Sequence, residues 1–240
     1  MVVKSPQPRT RRAERAEQTR RRIVAAATKL FAQLGYVATT IDAIATEADV
    51  AVETVYSRFR NKANLLDAVL GPAIVGDDGN QPLVHRPEMD AIRTCTDQRE
   101  AVRLMAHLSR TILQRAAQIH RILDVAAASD PKAAKLQRTD RKRRHQGQRA
   151  YLEILLANGP LRTGLTTEEA TDTYATLANP ATYDYLTGDR GWTPERYEEW
   201  LAESLIRLLL VDETCPLPQS EVNPLQARNR RPGPSAPGPS

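Results

Sequence analysis

Apolar side chains recur along the first part of the chain at the three-and-four spacing of a helix. Ile23, Ala27, Leu30, Phe31 and Leu34 form one stripe with arginines on the opposite side, which predicts an amphipathic helix over about 12–34. Gly35 ends it. A glycine followed by apolar Tyr36 suits a C-cap in which the left-handed residue turns the chain and the next side chain packs back.

The stretch "TTIDAIATEADVAVETVYSRF" packs two short helices around a tight turn. Thr39 or Thr40 can cap the first, with Ile41, Ile44 and Ala45 facing inward and Ala48 closing the last turn. Asp49 stands where the chain must reverse, and aspartate tolerates left-handed geometry better than most residues. Val50 is the buried turn residue. Val52 to Phe59 makes the second helix, with Val55 and Phe59 four apart on its inner side. That spacing turns Glu53, Thr54, Ser57 and Arg58 outward and leaves Tyr56, Arg58 and Lys62 as donors aimed away from the core.

Next, "NKANLLDAVLGPAIVG" predicts a linking helix with Leu65, Leu66 and Val69 on its apolar face and Gly71-Pro72 as an end or a kink. Residues 76–96, rich in Gly, Asp, Asn, Pro and Arg, read as a loop. Helices follow over about 97–127, 131–157, 167–187 and 194–212. Asp130-Pro131 and Thr193-Pro194 mark two starts, and "TTEE" at 166–169 is a capping box. The expected fold is all-α: a basic arm without fixed structure over 1–12, a helix-turn-helix domain over 13–60, a larger helical domain over 61–213 and a Pro-rich disordered tail over 214–240.

Charge placement sharpens this picture. The first 22 residues hold eight basic side chains against Glu14 and Glu17, a surplus that exceeds the chain's net charge of +5. A basic arm on a near-neutral body is the footprint of a polyanion partner, or else a solubilising tail. No apolar run approaches the roughly 18 residues of a spanning helix, so the chain is expected in the cytoplasm. Cys95 and Cys215 match no metal or redox spacing, and the four histidines have no close ligand spacing. No metal, cofactor or catalytic constellation is expected.

The helix-turn-helix pattern carries a resemblance. "GYVATT", "IA", "ADV", "TVYSRF" and "NKANLL" follow one another as they do in the TetR family of one-component transcriptional regulators, specifically over residues 20–70. The resemblance implies double-stranded DNA as partner, with Thr40 meeting a phosphate and Tyr56 and Lys62 gripping the backbone on either side of the major groove. Base edges would then fall to Val52, Glu53, Thr54, Ser57 and Arg58. Two positions depart from the family: Asp49 replaces the usual turn glycine, and Arg58 stands where many members carry histidine or tyrosine. Arg58 suits a guanine edge or a phosphate; Glu53 suits a cytosine amine or a local contact at the helix start.

In the larger part, Leu104, Met105, His107, Leu108, Ile112, His120, Tyr151 and Tyr174 lie on or near core-like faces and are candidates to line a cavity for a small-molecule effector. The basic face with Arg138, Arg141, Lys142, His145 and Arg149 reads as solvated helix surface. The last helix is apolar round much of its cylinder: Tyr197, Trp200, Leu201, Leu205, Leu208 and Leu209, extended by Ile206 and Leu210. Such a helix needs cover from two sides. A homodimer interface of Tyr174, Leu177, Trp200, Leu201, Leu205 and Leu208 is expected, hence a palindromic operator, and the resemblance implies a repressor released by its effector. The alternative is an architectural or protein-interaction module that lacks the cavity.

Overall fold

The computed structural model describes residues 11–76 and 87–211. The fold is all-α. Its helices are α1 (Arg11–Ala38), α2 (Ile41–Glu47), α3 (Val52–Phe59), α4 (Lys62–Val75), α5 (Pro87–Thr94), α6 (Gln98–Ser129), α7 (Pro131–Leu156), α8 (Thr167–Leu177), α9 (Pro180–Asp184) and α10 (Pro194–Leu209). A π-turn, Tyr185–Asp189, follows α9. Residues 1–10 of the arm expected over 1–12, Cys215 and the tail expected over 214–240 lie outside the described residues, whereas Arg11 and Arg12 open α1.

Two apolar cores stack along α6, which at 32 residues is long enough to serve both. The N-terminal core joins Ile23, Ala27 and Phe31 of α1, Ile44 of α2, Val55 and Phe59 of α3, and Leu65, Leu66 and Val69 of α4 to Ile119, Ile122, Leu123 and Ala126 from the second half of α6. The second core joins the first half of α6 to α5, α7, α8 and α10. Because α4 and α6 both contribute to the N-terminal core, a boundary drawn after residue 60 cuts through shared packing.

Gly35 has φ 75°, a left-handed geometry that glycine takes without penalty, and the chain kinks there. The kink swings Tyr36 back against Phe31, ring centroids 5.7 Å apart. The same corner exposes Leu34, which the periodic reading had placed on the buried stripe. Once the backbone leaves helical geometry at residue 35, Leu34 is left on the outer side of the corner while Phe31 stays buried under Tyr36. Buried Thr39 closes the corner by donating its hydroxyl to the Gly35 carbonyl at 2.7 Å.

Three other expectations change. Pro87–Thr94 is a helix and not loop, because Met89 and Ile92, fully buried, dock it on the second core. The helix expected over 167–187 is broken: α8 ends at Leu177, and Asn179 caps a new start with Pro180 at its first position. Asn-Pro is a start signal hidden inside an otherwise periodic run. Gly71-Pro72 does not end α4, which runs through to Val75 with Pro72 inside it.

One polar node ties the two parts together. Asp130 accepts the Lys132 amide at 2.8 Å as N-cap of α7 while its other oxygen accepts the Tyr36 hydroxyl at 2.7 Å. That hydroxyl bond, with the Lys132 and Ala133 amides, holds the Asp130 carboxyl below its usual value despite partial burial, and Tyr36 is pushed well up by burial and by the carboxylate. A hydrogen bond to a charged group contributes about 1.5–3 kcal/mol, and the partial exposure of Asp130 puts this one near the low end. A depressed folded pKa adds stability above the unfolded value of about 3.9 and loses it as pH falls through the folded one. Tyr36→Phe should therefore lower unfolding stability by about 1 kcal/mol at pH 7. Urea titrations should show that deficit narrowing as the pH drops below about 4.

Candidate nucleic-acid interface and adjoining cavity

An eight-residue helix is too short to be stable alone in water, so α3 depends on what holds it. Val55 and Phe59, 1% and 6% exposed, anchor its inner side; burying each stabilises by about 1.5–3 kcal/mol. Around the cylinder, Glu53, Tyr56, Ser57 and Arg58 are exposed and Val52 and Thr54 half-exposed, as the spacing requires. Among the described residues the Tyr56 hydroxyl and the Arg58 guanidinium have no partner, so both are available to an outside acceptor. Ser57 donates to the Thr54 carbonyl at 3.0 Å, which leaves its lone pairs outward.

The turn between α2 and α3 is held by an arginine that sequence reasoning assigned to the basic stripe of α1. Arg22 donates through one nitrogen to the carbonyls of Ala48 at 2.6 Å and Asp49 at 2.8 Å and to the Asp49 carboxylate at 2.9 Å. Asp49 has φ 50°, a left-handed strain for a residue with a Cβ, and the Arg22 contacts compensate for it. Arg22 is thus a clamp on the turn. Lys29 and Glu47, 2.7 Å apart, add a second tie between α1 and α2. The signal that could have found the clamp is the uncapped, glycine-free turn itself, which needs a donor from elsewhere.

Thr40 is the N-cap of α2: its oxygen accepts the Ala43 amide at 3.1 Å, and its hydroxyl proton remains free to donate outward. Lys62 differs from the expectation. Rather than pointing away from the core, its ammonium donates to the carbonyls of Tyr36 at 2.8 Å and Thr39 at 3.0 Å and sits 4.2 Å over the Tyr36 ring. Burial pulls its pKa below the ordinary lysine value, against the opposing pull of Asp130. The two carbonyls lie beside the kink at Gly35, where helix geometry leaves backbone acceptors without partners. Lys62 therefore satisfies the turn that carries Thr40; it is a staple and not a free cation.

A cavity of about 440 Å³ opens between α4, α6, α7 and α8. Of the expected lining residues, Ile112, His120, Tyr151 and Tyr174 face it. Leu104, Met105, His107 and Leu108 do not. Met105 and Leu108 are buried in the second core, Leu104 packs on that core's edge, and His107 is exposed, its Nδ1 3.0 Å from Glu198. Periodicity assigns a residue to the inner face of a helix without saying which neighbour fills the space opposite. The wall that the sequence did not disclose comes from α4, with Leu70, Gly71, Ile74 and Val75, and from α7, with Arg143 and Arg144. Arg143 is 3.3 Å from Asp67 of α4, an exposed ion pair across the cavity's rim.

The expected subunit interface also divides. Tyr174, Leu201 and Leu205 are fully buried within their own chain, Tyr174 with its hydroxyl 2.7 Å from Ser109, and cannot meet a partner. Ile206, Leu209 and Leu210 are buried likewise. Leu208, 45% exposed, and half-exposed Leu177 and Trp200 keep apolar surface outward.

Residues 23–69, which span α2, α3 and most of α1 and α4, match the family model of bacterial regulatory proteins, tetR family. Over 47 residues the chain is 49% identical to YhgD of Bacillus subtilis strain 168, described as an uncharacterized HTH-type transcriptional regulator. That match covers 20% of this chain and about a quarter, 25%, of the relative's length. Over most of the chain the similarity is structural. NalD of Pseudomonas aeruginosa, the secondary repressor of the MexAB-OprM multidrug efflux pump, superposes with a TM-score of 0.61 at 25% identity, covering 83% of this chain and 99% of NalD. A regulator from Saccharomonospora viridis, solved in complex with choline, superposes with a TM-score of 0.62 at 21% identity, covering 82% of this chain and 100% of that one.

Exposed and stapled donors should respond differently to substitution. Tyr56→Phe removes a hydroxyl that touches nothing within the chain, so stability should stay within about 0.5 kcal/mol while duplex affinity falls similarly across DNA sequences. Lys62→Ala orphans two carbonyls and should cost about 1–3 kcal/mol of stability, with affinity lost through the displaced Thr40 corner. Urea unfolding and fluorescence anisotropy on the same preparations separate the two. A lysine variant of unchanged stability would refute the staple.

Proposed function

We propose that this chain, whose residues 23–69 match the family model of bacterial regulatory proteins, tetR family, is a DNA-binding transcriptional repressor released by a small molecule. The observation that carries the reading is the two-sidedness of α3: Val55 and Phe59 buried, and Tyr56, Ser57 and Arg58 exposed. A helix anchored in this way can enter a major groove about 12 Å wide without giving up its core. Thr40 and Tyr56 hold the phosphates, Val52, Glu53, Thr54 and Ser57 face base edges, and Arg58 takes a phosphate or a guanine. Lys62 serves by holding the Thr40 corner.

Two copies pair through the apolar strip that Leu177, Trp200 and Leu208 leave outward on α8 and α10. Their α3 helices then enter successive major grooves about 34–36 Å apart, so the operator is palindromic. Bound there, in the cytoplasm, the dimer blocks access to a promoter. NalD's role as a repressor supports this output, and the choline complex of the Saccharomonospora viridis protein supports an effector site.

The effector acts through α4. This helix contributes Leu70, Gly71, Ile74 and Val75 to the cavity wall and, at its start, the Lys62 staple to the DNA-facing corner. A molecule that fits the cavity only when α4 has shifted selects the state in which the two reading helices are wrongly spaced. The cavity is also the reason to set aside an architectural module.

Genome-wide recovery of bound DNA followed by footprinting tests the reading. Protection should fall on two half-sites related by a dyad and about one helical turn, 34–36 Å, apart. Recovery of no preferred sequence, or protection of a single unpaired half-site, would overturn it.

A further inference from the structure

The cavity has one chemically distinct end. Its walls are mostly apolar, but where α6 meets α7 it exposes a cluster in which two cationic groups share one carboxylate. Asp140, 3% exposed, has its Oδ2 3.0 Å from Arg144 Nε and 3.2 Å from His120 Nε2. His120 is 4% exposed, and its Nδ1 lies 2.9 Å from the Ala116 carbonyl oxygen. A carbonyl can only accept, so Nδ1 carries a proton. The other ring nitrogen then faces a carboxylate oxygen, which also can only accept.

Both nitrogens therefore face acceptors; a proton on Nδ1 alone would set the Nε2 lone pair against the carboxylate oxygen 3.2 Å away, a repulsion that a second ring proton removes. At 3.2 Å the Nε2 contact is close enough for charge to act but is not aligned as a directed hydrogen bond, so Nε2 has hydrogen-bonding capacity to spare. Burial alone would push Asp140 up, yet its two cationic neighbours outweigh that and hold its carboxyl below the usual value. The count in this cluster, buried at Asp140 and His120 and half-exposed at Arg144, is two positive charges against one negative. The nearby Asp67 does not redress it, because it is paired with Arg143 at the exposed rim.

An uncompensated buried charge is unfavourable unless something neutralises it. Toward the other end of the chamber, near Tyr174, the Tyr151 hydroxyl also lacks a partner among the described residues. Burial pushes its pKa up to about 12, so it stays protonated and can donate. Donors and surplus positive charge at one end of an apolar chamber define a complement. We propose that the effector is an anionic amphiphile, with its apolar body against Leu70, Ile112 and Leu113 and its acceptor-only head beside Arg144 and His120. A volume of about 440 Å³ is within the range of roughly 300–1,000 Å³ that holds small ligands. A cationic head is disfavoured because Asp140, the sole buried carboxylate among the described residues, is already shared by two cations. The proposal rests on the reading of the cavity as the effector site of a DNA-bound regulator.

Calorimetry of the full chain with three amphiphiles of one length, decanoate, decanol and decyltrimethylammonium, tests it without DNA. Decanoate should bind at least about tenfold more tightly than either of the others. Arg144→Gln should abolish that preference, and Arg144→Lys should keep it, which separates charge from loss of fold. Nitrogen NMR of the histidines should give His120 the ring shifts of an imidazolium at pH 7. Decanol binding as well as decanoate, a preference for the ammonium, binding of none of the three, a preference untouched by Arg144→Gln, or a neutral His120 ring would each overturn the proposal. Anisotropy with a duplex recovered from the genome then reports on the regulator reading separately. Failure to bind any duplex would sink that reading while leaving the cavity's charge preference measurable. Release by an uncharged compound alone would sink the anionic class and leave the regulator standing.

Discussion

A helix of two turns has no independent existence in water, and the outward face of α3 can be presented only while Val55 and Phe59 remain buried. Everything proposed for this chain depends on that anchoring. The core that receives the two side chains is not a property of residues 39–59 alone, for it is completed by α1, by α4 and by the second half of α6. The surface offered to a duplex is therefore mechanically continuous with the larger bundle. Asp130 makes the connection chemical as well, since it caps α7 while accepting the Tyr36 hydroxyl.

That continuity gives a small molecule something to act on. α4 begins at the Lys62 staple under the Thr40 corner and ends along the cavity wall. Its Gly71-Pro72 pair weakens the helix where it lines the cavity, because proline removes an amide from the ladder and glycine adds little stiffness. A ligand need not reach the DNA-facing surface; it needs to prefer one position of this rod over another. The charge imbalance around Asp140 lies at the far wall of the same chamber, where α6 and α7 rather than α4 supply the groups. In the proposed reading, ligand recognition and mechanical response sit on opposite sides of one space.

Local chemistry was legible in the residues wherever a single element decides the outcome. Thr40, Asp130, Thr166 and Thr193 cap the helices they were expected to cap, and Val55, Phe59, Ile41 and Ile44 are buried as their spacing demands. Where two elements compete for one side chain, the reading went astray. Lys62 reads as a free donor because nothing nearby in sequence claims it, whereas the carbonyls that do lie 23 and 26 residues earlier. Arg22 was counted with the basic stripe for the same reason. Tyr174, Leu201 and Leu205 belong to an apolar face, but that face is consumed by the chain's own core.

By itself, then, the sequence determined the all-helical class, the caps, the tight turn and the two-sided character of α3, because hydrogen-bond capping and the 3.6-residue period act over one or two turns. The tertiary structure decided which cations are spent internally, which apolar faces remain outward, where a chamber opens and which helix links it to the DNA-facing corner. Those are properties of distances between residues far apart in the chain, and a carbonyl left over at one helix end or a carboxylate shared by two cations becomes visible only when the helices that bring them together have packed.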